Sequence, residues 1–191
     1  MELKIYLFRH GQTEFNRNSK FTGLIDSRLT KTGTEDAKIV SQRLKNKKID
    51  LSFCTSLSRS KETLKEVLKN HPECEEIIED DRMIERIYGN LQGKTHWEVV
   101  KKYGPEKYDK WHRSFYSRPP RGESFADVEK RVSSFIKDLI TLAKKKKANI
   151  AISAHGNSIR LFRKIMEKAS EKQACEWFIP YDSVFTYSVK V

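Results

Sequence analysis

The sequence predicts an α/β protein, a three-layer sandwich with a mostly parallel central sheet and helices on both faces. Three observations carry that prediction. Short apolar runs alternate with longer segments of helical period, the order that yields a parallel sheet covered on both sides. Two of the apolar runs end on a histidine followed by a glycine, and in open sheets of this kind ligands sit beyond the carboxyl ends of the strands. No repeat or low-complexity linker divides the 191 residues, a length that suits one domain over 1–191 with a core of its own.

The elements follow in order. Residues 3–8, LKIYLF, form a buried strand. From Thr32, residues Ala37, Val40 and Leu44 recur at helical spacing, and residues 49–54, IDLSFC, read as a second strand before a helix over 58–68. Ile77 and Ile78 mark a short third strand. Residues 89–122 hold much of the Gly, Pro and aromatic content and read as an irregular excursion over the sheet edge, a lid. Within it, Thr95 followed by Glu98 is a capping-box pattern that opens a helix towards Tyr103. Ser124 with Asp127 opens another, and Phe125, Val128, Val132, Phe135, Ile136 and Leu139 share its apolar face as far as about Lys144. Residues 149–153 are a buried strand running into Ala154-His155-Gly156, a helix covers 158–168, and residues 183–191 alternate like an edge strand.

Composition narrows the function. With 37% hydrophobic and 34% charged residues the chain reads as globular. No stretch approaches the ~20 apolar residues of a membrane span, and the first fifteen residues carry a strand pattern rather than a signal peptide, so a cytoplasmic protein with no membrane partner is expected. Cys54, Cys74 and Cys175 are odd in number without CxxC spacing, which points to neither a disulfide framework nor a zinc site. The net charge of +12 comes from scattered residues, and the densest run, Lys144 to Lys147, ends a helix, where cations favour the dipole. Nucleic acid is therefore not expected as a partner. The charge does favour small anionic substrates. A homo-oligomer is compatible with the sequence.

The two histidines carry the chemistry. His10, in Arg9-His10-Gly11, and His155, in Ala154-His155-Gly156, fall where an open sheet keeps its ligand. Gly11 and Gly156 permit close backbone approach, and the helix starting near Asn157-Ser158 would aim its first amides at an anion. Arg59, just past the end of the second strand, joins Arg9 at the same rim. Guanidinium forks match phosphate oxygens two at a time, and two of them with two imidazoles offset much of a phosphoryl group's charge. None of the five histidines forms an HxH or HExxH pair, so no metal is expected.

RHGQTEFN, FTGLIDSRLTKTG, TSLSRSKETL, ERIYGNLQG, PRGES and AHGNSIR together resemble the histidine phosphatase superfamily, and within it the cofactor-dependent phosphoglycerate mutases, over nearly the whole chain. The resemblance implies that His10 is the nucleophile, taking the phosphoryl group on nitrogen as phosphohistidine, while Arg9, Arg59 and His155 hold the equatorial oxygens. It implies that Glu85 is the general acid and base. To donate at neutral pH, Glu85 must be partly protonated, which an apolar or anionic setting would bring about. Thr13, Asn16, Thr22 and Gly23 match the ligand-binding loop, Arg82, Arg86 and Tyr88 the second anion contacts, and Gly156 and Asn157 the same pocket. The implied reaction interconverts 3-phosphoglycerate and 2-phosphoglycerate, primed by 2,3-bisphosphoglycerate, with a small phosphorylated metabolite as partner and no metal.

Two departures favour a second reading. Where the mutases carry a lysine after the LQG segment and two arginines before the SF, this chain has His96 and the pair His112-Arg113, which weakens the grip on a substrate carboxylate or second phosphate. Pro119 to Ser124 also joins the PP and GES segments directly, where mutases carry extra residues. A shorter cover admits water, and a phosphohistidine reached by water gives a metal-independent phosphomonoesterase.

Overall fold

The computed structural model describes residues 2–190; Val191, the last residue of the predicted edge strand, lies outside them. The chain runs β1 (Glu2–Arg9), α1 (Glu14–Arg17), α2 (Lys31–Leu44), β2 (Leu51–Cys54), α3 (Ser58–Leu68) and β3 (Glu76–Glu79). It continues with α4 (His96–Tyr103), α5 (Pro105–Arg113), α6 (Phe125–Lys146), β4 (Ile150–Ala154), α7 (Gly156–Glu167), α8 (Glu171–Glu176) and β5 (Val184–Lys190). One sheet has the order β3-β2-β4-β1-β5, parallel throughout except for the antiparallel edge strand β5.

Side-chain alternation separates the two cores. In β1, Leu3, Ile5 and Leu7 point to the layer of α6 and α7, together with Ile150 and Ile152 of β4 and Leu51 and Phe53 of β2. Tyr6 and Phe8 point to the other layer, where Val40 and Leu44 of α2 and Leu64 and Val67 of α3 cover Ala151 and Cys54. The predicted apolar face of α6 is buried as expected, its start capped by Ser124 and Asp127 reciprocally. The Thr95–Glu98 box caps α4 in the same way. Among the described residues no helix is long and apolar enough to cross a membrane.

Segment 89–122 differs from the irregular excursion the composition implied. Gly104, at φ +83°, ends α4, and Pro105 in the first turn starts α5 at once. The two helices bury Val99 against Phe21, Tyr88 and Leu91, with Tyr103, Tyr108 and Trp111 packed on them, so the excursion has a small core of its own. Gly104 is the turn of a helical hairpin, and Tyr103, Tyr108 and Trp111 are part of its filling. The short helices α1 and α8 carry too few residues to show a period and were not legible in the pattern. The last helix of the parallel unit begins at Gly156, two residues earlier than its apolar spacing indicates, because His155 itself is the N-cap residue.

Candidate active site

β1 and β4 are neighbours with Arg9 opposite Ala154, and the His10 N–H donates to the Ala154 carbonyl at 3.0 Å. Strand register therefore sets His10 beside His155. Their ring centroids are 5.0 Å apart with the planes at 58°, and the residues are 2% and 0% exposed. The backbone after His10 is fixed by close approach: a Cβ on Gly11 would fall 2.0 Å from the Gly33 carbonyl oxygen of α2, while the Gly11 N–H donates to Thr63 Oγ1 of α3 at 3.1 Å.

Hydrogen bonding sets the tautomer of His10. Nδ1 lies 2.7 Å from the Gly11 carbonyl, which only accepts, so Nδ1 carries the proton and Nε2 keeps its lone pair. Burial, helped by the Arg59 and Arg9 guanidiniums, holds this imidazole well below the ordinary histidine range, against the Gly11 carbonyl, which favours the charged form. His155 is held low by the same causes: burial first, then Arg59, His10 and Arg9. Its Nε2 pairs with Thr55 Oγ1 at 2.8 Å.

Arg59 rises from the first turn of α3 and is fully buried. Two of its nitrogens donate to the Ile25 and Gly23 carbonyls at 3.0 and 2.9 Å, and burial lowers its pKa to about 10, which leaves it charged at neutral pH. Arg9 donates to the Ile179 carbonyl at 2.8 Å, and its guanidinium lies 4.1 Å from the Tyr181 ring centroid. Among the described residues five buried side-chain nitrogens lack a hydrogen-bond partner: besides His71 Nε2 and Arg86 Nη1, they are Arg9 Nε, Arg59 Nε and His155 Nδ1, the three that belong to the residues around His10. Two of these three atoms are guanidinium donors, and buried donors without partners are costly unless a ligand meets them.

A cavity of about 330 Å³ opens above the histidine pair. Arg9, Glu85, Gly156 and Asn157 line it at the sheet end, and Asn16, Thr22, Tyr88, His96, His112 and Arg113 line it further out. His10, His155 and Arg59 are not part of that lining, although their chain neighbours Arg9 and Gly156 are. Glu85 Oε1 accepts the backbone N–H groups of Arg86 at 2.8 Å and Asn157 at 3.2 Å. The setting expected for Glu85 was apolar or anionic; the observed one is two amides with Arg59, Arg86 and Arg160 close by. The Asn157 amide expected to face a ligand is thus occupied by Glu85. Asn157 Nδ2 in turn donates to the Tyr88 hydroxyl at 2.9 Å.

Four further residues singled out from sequence are also outside the lining. Arg82 is drawn away by a two-oxygen pairing with Asp80 and a bond to Asp138 of α6, and it borders a different hollow. Arg86 is buried behind Tyr88, donating to the Glu123 and Ser117 carbonyls and thereby holding the short 119–124 join in place. Thr13 caps α1 through Asn16, and Gly23 presents its carbonyl to Arg59, so both act through a neighbour.

Other lining residues were missed. Arg160 lies one turn along α7 from Gly156, donating to the Trp177 carbonyl at 2.8 Å and Asn157 Oδ1 at 3.1 Å. The i, i+4 spacing inside HGNSIR would have found it. Phe178, Ile179 and Tyr181 follow α8 and carry no local signal. Arg131 of α6 is also unforeseen: it pairs with Glu123 at 3.0 Å and donates to the carbonyls of Arg82, Ile84 and Glu85, setting the backbone that presents Glu85. Among the described residues no group of three or more His, Cys, Asp or Glu side chains is disposed to hold a metal ion.

A neutral imidazole with a free nitrogen lone pair, flanked by two guanidiniums and with a carboxylate in the adjoining cavity, suits the class of enzymes that take a phosphoryl group on nitrogen. Comparison with known proteins makes the class specific. Residues 5–189 match the histidine phosphatase superfamily (branch 1), and the chain belongs to that family. The phosphoglycerate mutase of Schizosaccharomyces pombe is 38% identical over 159 residues, covering 82% of this chain and 75% of that protein. The 2,3-bisphosphoglycerate-dependent phosphoglycerate mutase of Chlamydia trachomatis is 32% identical, covering 96% of this chain and 92% of its own. The mycobacterial glucosyl-3-phosphoglycerate phosphatase shares the fold, with a TM-score of 0.82 over 97% of both chains at 20% identity.

Proposed function

We propose that the protein is a phosphoglycerate mutase that interconverts 3-phosphoglycerate and 2-phosphoglycerate through a phosphohistidine at His10. The observation that carries this reading is the set of unpartnered buried nitrogens, Arg9 Nε, Arg59 Nε and His155 Nδ1, in electrostatic reach of the His10 ring. A phosphoryl group bonded to Nε2 of His10 would offer charged oxygens to the two guanidinium nitrogens, which can only donate. The S. pombe and C. trachomatis relatives support the mutase assignment over most of the chain.

In the first half-reaction, with His10 phosphorylated, Glu85 takes the proton of the substrate hydroxyl, which attacks phosphorus as the N–P bond breaks and its electrons return to Nε2 of His10. Arg9 and Arg59 hold the equatorial oxygens as charge spreads over them, and His155 faces the group from the neighbouring strand end. In the second half the Nε2 lone pair attacks the other phosphorus of the bisphosphate so formed, the bond to its ester oxygen breaks, and Glu85 returns the proton to that oxygen. 2,3-Bisphosphoglycerate, when bound, supplies the phosphoryl group that primes His10. Arg113, Arg160 and Lys20 line the cavity where an acid group at the far end of the substrate would lie. Cavity residues thus provide for both ends of a two-anion substrate.

A second reading, a metal-independent phosphomonoesterase, is favoured by one specific observation. His96 and His112 stand where the mutase pattern carries permanent cations, and burial holds both below the ordinary histidine range. A product assay on 3-phosphoglycerate, with and without 2,3-bisphosphoglycerate, decides. Formation of 2-phosphoglycerate that depends on the bisphosphate is expected; release of free phosphate alone would transfer the assignment to the phosphatase.

A further inference from the structure

The outer cavity wall is an aromatic cluster with two imidazoles in it. The rings of His96 and His112 are 5.3 Å apart, and Phe21 lies 4.2 Å from the first and 6.1 Å from the second. Tyr108 donates to or accepts from His96 Nδ1 at 2.9 Å and lies 5.1 Å from His112, ring to ring. His112 therefore has its neighbours fixed on every side. Arg113 flanks it on its own helix, Arg160 approaches from α7, Arg86 from the segment before Tyr88, and His96 from α4. Glu85 is the one carboxylate lining the cavity among the described residues, and its Oε1 already accepts two amides.

Arg113 and Arg160 have further N–H groups beyond those donated to the Cys175 carbonyl, the Trp177 carbonyl and Asn157 Oδ1. Both guanidiniums and the His112 ring line the same cavity. We propose that His112 is a specificity-determining residue which takes a proton from solvent when the anionic far end of a substrate enters beside Arg113 and Arg160. The cavity then prefers esters that carry a second anion, and prefers them more strongly as pH falls. This rests on the reading that His10 takes a phosphoryl group in this cavity.

The direction follows from the charges. Without substrate, burial and the surrounding guanidiniums hold His112 to about 3, so it is neutral at any working pH. An opposite charge within hydrogen-bonding range moves such a titration upward by as much as roughly three pH units, and the proposal takes that full displacement, which brings the complex to about 6. Binding of an anion and of a proton then help each other, and the affinity gained grows about tenfold per pH unit below the titration of the complex. A lysine or arginine at the position would give strong but pH-independent binding. An imidazole makes the same contact conditional.

The test compares KM for 3-phosphoglycerate with KM for glycerol 3-phosphate, which lacks the carboxylate, between pH 5 and pH 8. Taking the ratio cancels the titration of the phosphate common to both. The preference for 3-phosphoglycerate should fall by about tenfold from pH 5 to pH 7, and His112→Gln should flatten it. A ratio constant within about twofold in the wild type, or a slope that survives His112→Gln, overturns the proposal. Should the variant not fold, the sequentially assigned His112 Cε1–H resonance of the wild type decides. At pH 5.5 it should move to the protonated position on adding 3-phosphoglycerate and stay put with glycerol 3-phosphate, and a resonance that ignores both refutes the idea. Turnover of both esters with a flat ratio sinks this inference alone; no turnover of either, with no phosphate on His10, sinks the underlying reading as well.

Discussion

The imidazoles of His10 and His155 face each other across 5.0 Å at the ends of adjacent parallel strands, each buried and each held neutral by its surroundings. The pairing Arg9↔Ala154 produces this, because equal strand ends in register deliver the next residue of each strand to the same place. A slip of one residue would send one ring to the opposite face of the sheet.

His10→Ala should abolish turnover and also acid-labile labelling by a phosphoryl donor. The Nδ1 bond to the Gly11 carbonyl leaves Nε2 as the nitrogen to be phosphorylated. Labelling that persists in the variant would place the nucleophile on another residue.

Arg59→Lys should lower kcat/KM by about 100-fold although the charge is kept. The guanidinium bonds two carbonyls of the 22–26 loop with different nitrogens and still presents Nε to the site, and an ammonium on a flexible stem cannot do all three. Steady-state kinetics at saturating and limiting substrate check this, and a loss below about threefold would return Arg59 to a merely structural role.

Tyr181→Ala should lower kcat/KM roughly 2- to 30-fold, the loss of one cation–π contact over Arg9, while Tyr181→Phe should stay near wild type because the ring remains. Equal losses in the two variants would mean that the hydroxyl, not the ring, matters.

Acid should destabilise the fold below about pH 6.5. His10 and His155 are held well below their unfolded value by burial, and His96 and His112 are held low as well. The unfolded chain takes up protons there that the folded chain refuses, so the stability is present above the unfolded titration and is lost as pH falls through it. Each such histidine contributes a slope of about 1.4 kcal/mol per pH unit. Urea midpoints at pH 7, 6 and 5 should decline more steeply for the wild type than for His10→Gln. Parallel declines would show that His10 does not titrate differently in the two states.

Period, caps and strand ends were legible in the chain because near neighbours carry them. The 3–8 and 149–153 runs with their His-Gly endings, the Thr95–Glu98 and Ser124–Asp127 boxes, and the apolar face from Phe125 to Leu139 all appear where the pattern placed them. The α4–α5 hairpin was not legible, since its helices are short and its apolar residues serve a local core rather than the sheet.

By itself, then, the sequence determined a parallel sheet with two histidines at its working edge and cations nearby, since periodicity and strand ends are local properties. Tertiary structure alone decided which cations face the cavity. Arg82 is captured by Asp138 and Arg86 by the Glu123 carbonyl, whereas Arg160 reaches the lining through the Trp177 carbonyl. A guanidinium goes to whichever acceptors packing brings within reach, and several of those acceptors, Asp138, the Glu123 carbonyl and the Trp177 carbonyl, are distant in the chain.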